Sequence, residues 1–345
     1  MTVLDKLMKN RNLSREEYIE LLNNWEDADG KEKLQKEANR LRKEHYGDCI
    51  YVRGLIEFTN ICKNNCYYCG IRRDNCNVQR YRLTKEEILE CCDYGYGLGF
   101  RTFVLQGGED GYFTDERIVD LIRSIKENHP DCAITLSIGE KSYESYEAYR
   151  KAGADRYLLR HETANETHYN TLHPEEMKLS VRLECLRNLK ALGYQTGAGF
   201  MVGSPNQTME TIADDLIFLQ ELQPEMVGIG PFIPHHDTCF SHEPAGSVEF
   251  TLFLLSVIRI MLPKVLLPAT TALGTMDEHG REKGILHGAN VIMPNLSPLK
   301  NRKQYELYDN KICTGEEAAE GLKEMEKRVA KVGCHIAYER GDFVG

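Results

Sequence analysis

Short apolar segments alternate with amphipathic segments along most of this chain. From residue 49 onwards, stretches rich in β-branched and aromatic residues are followed by stretches with helical periodicity. The apolar stretches predict strands at residues 49–59, 102–108, 133–139, 156–163, 195–203, 226–233, 266–273 and 290–295. The segments between them predict helices at residues 83–99, 115–128, 145–153, 180–193, 208–222, 250–262 and 280–288.

This alternation predicts the fold class. Eight strand–helix units with continuously apolar strands indicate an α/β protein with a parallel sheet, and the number eight predicts a complete (β/α)8 TIM-type barrel. A doubly wound open sheet is the structural alternative. The pattern places the barrel at residues 49–312, an N-terminal helical extension at residues 1–48 and a C-terminal helical tail at residues 313–345.

Composition narrows the possible functions. The chain has 345 residues and a net charge of −10, which argues against a nucleic-acid partner. No run approaches the ~18 apolar residues of a membrane span, and the first residues lack the apolar segment of a secretion signal. The sequence therefore predicts a cytoplasmic protein with neither a nucleic-acid nor a membrane partner. Most of the twelve cysteines lie singly in apolar patterns that are typical of core positions.

Three cysteines form a group that core packing does not explain. Cys62, Cys66 and Cys69 lie in "NICKNNCYYCGIRRDN", directly after the first predicted strand, at the end of a barrel where active sites are built. A structural zinc usually has four ligands, often from two C-x2-C pairs, and the sequence has no second pair. A redox C-x2-C pair leaves Cys62 without a role. A 4Fe–4S cluster held by three thiolates leaves one iron open to an outside ligand, and the spacing favours this interpretation.

Charged residues occupy a strand that is predicted to be buried. In "DRYLLRHET", Arg156, Arg160 and Glu162 have even spacing and would share one face of a strand. Charges in such a strand are unfavourable unless they are paired or face a polar cavity. One alternative is a structural ion pair. The favoured alternative is a ligand carboxylate bound by arginine, with Glu162 binding ribose hydroxyls or orienting an arginine.

The pattern C-x3-C-x2-C after a first barrel strand resembles that of the radical S-adenosylmethionine (SAM) superfamily. The resemblance implies one 4Fe–4S cluster on the three cysteines, with SAM chelating the open iron through its amino and carboxylate groups. It also implies that an electron from the cluster cleaves SAM to methionine and a 5′-deoxyadenosyl radical. Tyr68 matches an aromatic residue that packs beside adenine, and "LQGGED" at residues 105–110 resembles an element that contacts the methionine end of SAM.

Longer segments are more specific than the cysteine triplet. "DRYLLRHETAN", "GIGPFIPH" and "PATTALGT", with further stretches from about residue 50 to 312, resemble the HydE family of iron–iron hydrogenase maturases, to which methylornithine synthase and biotin synthase are related. The resemblance implies that the substrate is an iron–carbonyl–cyanide cysteine complex made by HydG. It implies that the 5′-deoxyadenosyl group attacks the cysteine sulfur, and that the product passes to HydF on the way to the two-iron subcluster. A ferredoxin- or flavodoxin-type protein is the expected electron donor.

The same resemblance assigns roles to individual residues. Those expected to bind SAM are Tyr68, Gln106, Gly107, Glu162, Arg182 and Met201. Those expected to line the substrate cavity are Glu140, Arg156, Arg160, Thr270, Thr271, Tyr305 and Tyr308. Some family members carry a second cluster on C-x7-C-x2-C. Here Cys313 matches the first position, but the other two are Gly321 and Glu324, so no second cluster is expected on this pattern.

A non-catalytic alternative is an iron–sulfur carrier or scaffold. A carrier needs thiolates but has no use for an arginine, a glutamate and two threonines around a cavity. The polar residues at the barrel mouth are therefore the feature that distinguishes an enzyme from a carrier.

Overall fold

The computed structural model describes residues 2–312 and 321–345. Its strands in chain order are β1 (Cys49–Val52), β2 (Gly54–Thr59), β3 (Thr102–Gly107), β4 (Ala133–Ser137), β5 (Arg156–Leu158), β6 (Gln195–Ala198), β7 (Met201–Val202), β8 (Met226–Val227), β9 (Gly230–Pro231), β10 (Val291–Ile292) and β11 (His335–Ala337). Its helices are α1 (Val3–Asn10), α2 (Arg15–Asn23), α3 (Ala28–Tyr46), α4 (Lys85–Gly97), α5 (Asp115–Asn128), α6 (Tyr143–Ala152), α7 (Glu166–Leu172), α8 (Leu179–Ala191), α9 (Met209–Leu222), α10 (Val248–Met261), α11 (Thr271–Met276), α12 (Gly280–Leu286), α13 (Leu299–Arg302) and α14 (Leu322–Lys331). Cys313, considered above for a second cluster, lies outside the described residues.

Parallel segments close into a ring. Hydrogen-bonded neighbours follow one another in the order β2-β3-β4-β5-β6-β8, and every pair is parallel. Parallel bridges then join β8 to Leu266, Pro268 to β10, and Asn295 back to β2. The ring therefore passes through eight segments in chain order, which confirms the predicted (β/α)8 TIM-type barrel and excludes an open doubly wound sheet.

Most strands are shorter than the sequence predicts or are interrupted, and two of them end early beside the site. The segment predicted as strand 156–163 ends at Leu158, and Glu162 takes a φ of 64°, in the left-handed region that a strand does not use. In the segment 266–273, Pro268 has no N–H group to donate and helix α11 already begins at Thr271. The early strand ends leave the backbone at the carboxyl side of the barrel free to take irregular conformations.

Helices α1 to α3 pack against the outside of the barrel. α2 contacts α9, and α3 contacts α10. The ring of Trp25, between α2 and α3, lies 4.9 Å from that of Phe250, measured between centroids. Ser14 and Glu17 form a capping box at the start of α2. Within the described residues, none of the helices combines the length and apolar character needed to cross a membrane.

The described part of the C-terminal tail contains a strand as well as a helix. Strand β11 pairs in parallel with β1, with Cys49 opposite His335. Residues after β11 lie under the amino ends of the barrel strands, where the backbone oxygen of Arg340 accepts a hydrogen bond from Thr102 at 2.8 Å. The expectation of a purely helical tail is therefore incomplete, because a three-residue strand leaves too short a pattern to be detected.

Candidate active site

The three-cysteine loop follows β2 at the carboxyl end of the barrel. Asn60 fixes the first residues of the loop through its side-chain amide. Its Oδ1 accepts a hydrogen bond from the N–H of Tyr81 at 2.8 Å, and its Nδ2 donates to the backbone oxygens of Gln79 and Gln304 at 2.9 and 2.7 Å. The three cysteines of the loop are half-buried free thiols.

Arg80 holds the rest of this loop. Its guanidinium donates hydrogen bonds to the backbone oxygens of Asn60 (2.6 Å), Ile71 (2.8 Å), Arg72 (2.6 Å) and Asn75 (3.1 Å). Arg80 therefore satisfies backbone oxygens that have no partner of their own in a helix or a strand. The sequence alone does not distinguish Arg80, because an arginine between polar residues has the same pattern as an exposed one.

The spacing of the three thiols distinguishes a site for a single zinc ion from a site for a 4Fe–4S cluster. Thiolates that share one zinc ion lie about 2.3 Å from the metal and hence about 4 Å from one another. Within the described part of the chain, Cys62, Cys66 and Cys69 do not form a group whose sulfurs all lie within 4.8 Å of one another. A cluster with four iron atoms holds its cysteines farther apart. The loop therefore fits a 4Fe–4S cluster better than a single ion.

Burial decides the protonation of these thiols. It raises the pKa of Cys62 and Cys66, and it raises the pKa of Cys69 to about 12. A redox-active pair instead works through a thiol whose pKa is lowered, so the redox alternative does not fit. Metal binding replaces the thiol protons. The backbone N–H groups of Asn64 and Glu109, each 3.4 Å from Cys62 Sγ, are placed to donate to the resulting thiolate.

A glycine turn at residues 107–110 packs against the cysteine loop. The N–H of Lys63 donates to the backbone oxygen of Glu109 at 2.9 Å. A Cβ atom on Gly108 would lie 2.3 Å from the backbone oxygen of Ile61, so only glycine allows this close approach. The two motifs that the sequence singled out, the cysteine triplet and "LQGGED", are thus in direct contact.

Two arginine–carboxylate pairs meet at the ends of β4 and β5. Arg182 Nε donates to Glu140 Oε1 at 2.5 Å, and Arg182 Nη1 donates to the backbone oxygen of Arg160 at 2.8 Å. Arg160 Nη2 in turn donates to Glu162 Oε2 at 2.8 Å. The backbone N–H of Glu140 donates to the side chain of Glu109 at 2.9 Å, which connects both pairs to the glycine turn. These four predicted residues therefore lie together.

Arg160 and Thr270, at this end of the barrel, each have a polar atom without a hydrogen-bond partner among the described residues. Arg160 Nε and Thr270 Oγ1 are both shielded from solvent. Thr270 precedes α11 without capping it through its side chain, and Thr271 is the first residue of that helix. Buried polar atoms without partners are uncommon in folded proteins. A ligand with acceptor oxygens, such as a carboxylate, would satisfy both donors.

Tyr68 and Met201 belong to one apolar cluster. The ring of Tyr68 stands edge-on to that of His173, with centroids 5.4 Å apart, and its hydroxyl lies 3.4 Å from His173 Nε2. Burial raises the pKa of the Tyr68 hydroxyl, and the carboxylate of Glu162 raises it further, so the hydroxyl is neutral. The cluster offers a flat apolar surface of the kind that a nucleobase packs against.

Residues 303–312, here called the strap, lie against the cysteine loop. The N–H of Gly70 donates to the backbone oxygen of Leu307 at 2.9 Å. Tyr305 is buried, and its hydroxyl lies 3.4 Å from Nε2 of Gln106, at the end of β3. Tyr308 is half-buried on the same strap. The strap therefore brings Tyr305 to the carboxyl end of the barrel.

Arg156 is not part of this site. It begins β5 at the opposite end of the barrel and is fully buried. Its guanidinium donates to Asp342 at 2.6 Å, to the backbone oxygen of Arg340 at 2.8 Å and to Thr102 at 3.0 Å. Even spacing indicates the same face as Arg160, but four residues of extended chain span about 13 Å. A role in the substrate cavity therefore does not fit its position.

Two histidines beside the strap approach a carboxylate without forming a metal site. His236 Nδ1 lies 2.6 Å from Asp309 Oδ1, and His235 completes a group whose ligand atoms lie within 4.8 Å of one another. The two imidazoles are stacked, however, with centroids 4.3 Å apart and planes 20° apart. Nitrogen lone pairs lie in the ring planes, so stacked rings do not point at one ion. The group is better explained by hydrogen bonding.

Comparisons with known proteins agree with this geometry. Residues 56–219 match the Radical SAM superfamily. The [FeFe] hydrogenase maturase subunit HydE of Thermotoga maritima is 48% identical over 314 residues, which cover 91% of this chain and 89% of that protein. At this identity and coverage, the similarity includes the barrel and the loops at its mouth.

Two solved structures share the fold. The crystal structure of methylornithine synthase (PylB) has a TM-score of 0.82 and 28% identity, and the match covers 97% of both chains. The crystal structure of HydG, a maturase of the [FeFe]-hydrogenase, also has a TM-score of 0.82, with 23% identity over 97% of this chain and 75% of that chain. The likeness to HydG concerns the fold alone.

Proposed function

Because this chain belongs to the [FeFe] hydrogenase maturase HydE family of radical SAM enzymes, we propose that it acts in assembling the two-iron subcluster of the hydrogenase. Its proposed substrate is an iron–carbonyl–cyanide cysteine complex. The alternative is a methylornithine synthase-like or biotin synthase-like activity. It has weaker support, because the identity is 28% to methylornithine synthase and 25% to a biotin synthase, against 48% to HydE.

One observation carries the proposal: buried polar atoms without partners lie at the barrel end that also carries the three thiols. Arg160 Nε and Thr270 Oγ1 have no hydrogen-bond partner among the residues described. An iron–sulfur carrier needs only the thiolates, and such atoms would be a cost to its stability. In an enzyme, they are the groups that a polar substrate completes.

Radical SAM enzymes, and hence this one, use a 4Fe–4S cluster and SAM. When bound, the cluster supplies the electron that cleaves SAM to methionine and a 5′-deoxyadenosyl radical. In our proposal the three cysteines hold the cluster, while Tyr68 and Met201 form the wall beside adenine. Glu162, with one oxygen on Arg160, binds ribose hydroxyls, and Arg182 keeps this pair in place. Gln106 and Gly107 border the methionine end.

Arg160 is proposed to bind the carboxylate of the substrate's cysteine. One of its amino groups is held by Glu162 at 2.8 Å, which fixes the plane of the guanidinium and leaves Nε for the ligand. Charge-assisted hydrogen bonds of this kind are strong in a site with little water. Thr270, Thr271, Tyr305 and Tyr308 would complete the cavity and exclude solvent, and Glu140 would keep Arg182 in place.

The proposed reaction requires partners on either side of this enzyme. A HydG-type enzyme would supply the iron complex, and HydF would receive the product. A ferredoxin- or flavodoxin-type protein would deliver the electron. HydG itself is similar to this chain in fold.

A maturation assay tests the proposal. Apo-hydrogenase is incubated anaerobically with HydG, HydF, SAM and a reductant, with this protein present or omitted. We expect hydrogenase activity only when the protein is present, and a Cys62→Ser variant is the matched inactive control. SAM cleavage is measured separately, with the reconstituted protein, SAM and dithionite but without HydG, because HydG cleaves SAM itself. SAM cleavage in that mixture without any hydrogenase activation in the full assay would refute the maturase function, and absence of SAM cleavage there would favour a carrier.

A further inference from the structure

The strap is connected to three parts of the barrel mouth. Asn60, at the start of the cysteine loop, donates to the backbone oxygen of Gln304 at 2.7 Å. Gly70, directly after the third cysteine, donates to the backbone oxygen of Leu307, and the N–H of Asp309 donates to Pro234 at 3.1 Å. These backbone contacts fix the path of the strap. They do not fix the side chain of Tyr305.

A buried lysine acts on Tyr305 directly. Lys311 Nζ donates to the backbone oxygen of Tyr305 at 2.8 Å and lies over its ring, 4.9 Å from the centroid. The same ammonium group pairs with Glu57 on β2. The lysine side chain is only 6% exposed and that of the glutamate 1%, so both charges are removed from water. Tyr305 is therefore held from its backbone and from one face of its ring.

The partner carboxylate is itself fixed. Glu57 Oε2 accepts a hydrogen bond from Asn295 Nδ2 at 2.9 Å, and the N–H of Glu57 donates to Ser297 Oγ at 2.7 Å. A buried ion pair contributes little net stability compared with apolar residues of the same size. Its more distinctive effect is to define a single arrangement of the groups around it. Here that arrangement includes the ring of Tyr305 and the strand that leads into the cysteine loop.

We propose that Lys311 is a positioning residue, which acts through its ion pair with Glu57 to hold Tyr305 against the substrate cavity. The two charges cancel, so Lys311 does not attract an anionic substrate. Its effect is on the orientation of the Tyr305 hydroxyl, next to Gln106. The role in catalysis depends on the proposed function. The physical link between Lys311 and Tyr305 does not depend on it.

The effect of Lys311 on Tyr305 can be tested by a measurement that does not depend on enzyme activity. Tyr305 is replaced by 3-fluorotyrosine in the full chain, and its ¹⁹F NMR signal is recorded in three backgrounds. Lys311→Met should shift or broaden the signal, because the ring loses the cation on its face. Lys303→Met changes an exposed lysine of the same strap and should leave the signal as in the wild type. An unchanged signal in Lys311→Met would overturn the proposal.

A second variant covers the case in which Lys311→Met does not fold. Glu57→Gln combined with Lys311→Met removes both buried charges, which avoids leaving one of them unpaired. The fluorine signal of this double variant should also differ from that of the wild type. A wild-type signal in the double variant would show that the strap alone orients Tyr305, and the proposal would then be wrong.

Kinetics test the role in catalysis. Iron content and the KM for SAM should stay within about 2-fold of the wild type in Lys311→Met, whereas maturation should fall by up to about 100-fold, the size of effect that a misplacement near 1 Å produces. In a Tyr305→Phe background, Lys311→Met should cause little further loss, since the hydroxyl that it positions is gone. Additive losses, or equal loss of iron and SAM binding, would contradict the proposal. If the wild type fails to support maturation, the proposed function is refuted, and the fluorine signal still decides the link.

Discussion

At the scale of single residues, the site is defined by which polar atoms have partners and which do not. Arg182 donates to Glu140 and to the backbone oxygen of Arg160, so it holds other residues of the site in position. Arg160 pairs with Glu162 through one amino group and keeps a buried Nε without a partner among the described residues. Arginine binds a carboxylate through a planar set of donors that lysine lacks. These two arginines therefore have different expected roles.

Arg160→Lys tests this difference. Lysine keeps the charge and can still pair with Glu162, but it lacks the buried Nε–H that has no partner among the described residues. One hydrogen bond to a charged group is worth about 1.5–3 kcal/mol, so maturation should fall by about 10-fold or more. Iron content and the EPR change on adding SAM should be unaffected. Arg117→Lys, at an exposed arginine stacked on Tyr112 at 3.8 Å, is the control. Full maturation by Arg160→Lys would refute the substrate-binding role.

Cys62 and Cys76 also have different expected roles, the first as a cluster ligand and the second as an exposed cysteine without a ligand role. Cys62→Ser should reduce the bound iron from about four atoms per chain to nearly none, because a serine hydroxyl is a poor cluster ligand. Cys76→Ser changes an exposed cysteine whose sulfur contacts only the backbone oxygen of Asp74, at 3.7 Å, among the hydrogen bonds of the described residues. Iron analysis and EPR after reconstitution measure both variants. Loss of the cluster in Cys76→Ser would mean that a fourth thiolate closes the open iron.

At the scale of elements, the site is formed by irregular segments that pack together at the carboxyl end of the barrel. The cysteine loop has neither helix nor strand over residues 60–80, so its shape comes from Asn60, Arg80 and the glycine turn. Each of these acts on backbone atoms. Substitutions in them should therefore affect cluster assembly, although none of them is itself a cluster ligand.

Arg80→Met should weaken the loop. It removes the donor from four backbone oxygens at 2.6 to 3.1 Å, and water can replace only part of this at a half-buried position. The free energy of unfolding of the apoprotein should fall by about 1.5–3 kcal/mol, and cluster loading should fall with it. Urea denaturation and iron analysis measure the two effects. Arg73→Met, at an exposed arginine paired with Asp74, should change neither. Normal loading of Arg80→Met would show that the loop keeps its shape without this cation.

Gly108→Ala should interfere with cluster assembly by a steric route. The added methyl group would lie 2.3 Å from the backbone oxygen of Ile61 and 2.9 Å from Cys62 Cβ, so one of the two segments must move. Forcing a methyl group into a packed site costs about 1–3 kcal/mol. Gly111→Ala is the matched control, since no atom lies within 4 Å of its added methyl. Equal iron content in the two variants would show that the contact is not needed.

At the scale of the whole molecule, the sequence predicts what is local and repeated. Eight strand–helix units and a C-x3-C-x2-C triplet are short-range patterns, so the barrel and the position of the cysteines could be read from them. The roles of Arg80, Lys311 and Asp342 could not be predicted from the sequence, because each acts through partners that come near it only in the folded chain. For Arg156 the prediction from spacing is wrong. Even spacing indicates which face of a strand a residue occupies, but it does not indicate at which end of the barrel the residue lies.

The tail that closes the amino end of the barrel gives a prediction for the whole fold. Burial alone would raise the pKa of Asp342, but hydrogen bonds from Arg340 and the charge of Arg156 hold it well below its usual range. Because the folded pKa is depressed, the stabilisation is present above the unfolded pKa of about 3.9 and is lost as the pH falls below it. Asp342→Asn should therefore reduce the stability of the apoprotein at neutral pH. The difference from the wild type should shrink below about pH 4.

The expected loss at neutral pH is about 1–2 kcal/mol. This is less than the 3–5 kcal/mol for breaking a fully buried pair, because Asp342 is 39% exposed and Arg156 keeps its bonds to Thr102 and Gln195. Glu339→Gln, at an exposed acid of the same tail, should leave the stability unchanged at every pH. Iron content and the response to SAM should remain normal in both variants, since the tail and the cysteine loop lie at opposite ends of the barrel. A stability difference that persists unchanged at pH 3 would show that Asp342 acts through its shape, and loss of the cluster would show that the two ends are coupled.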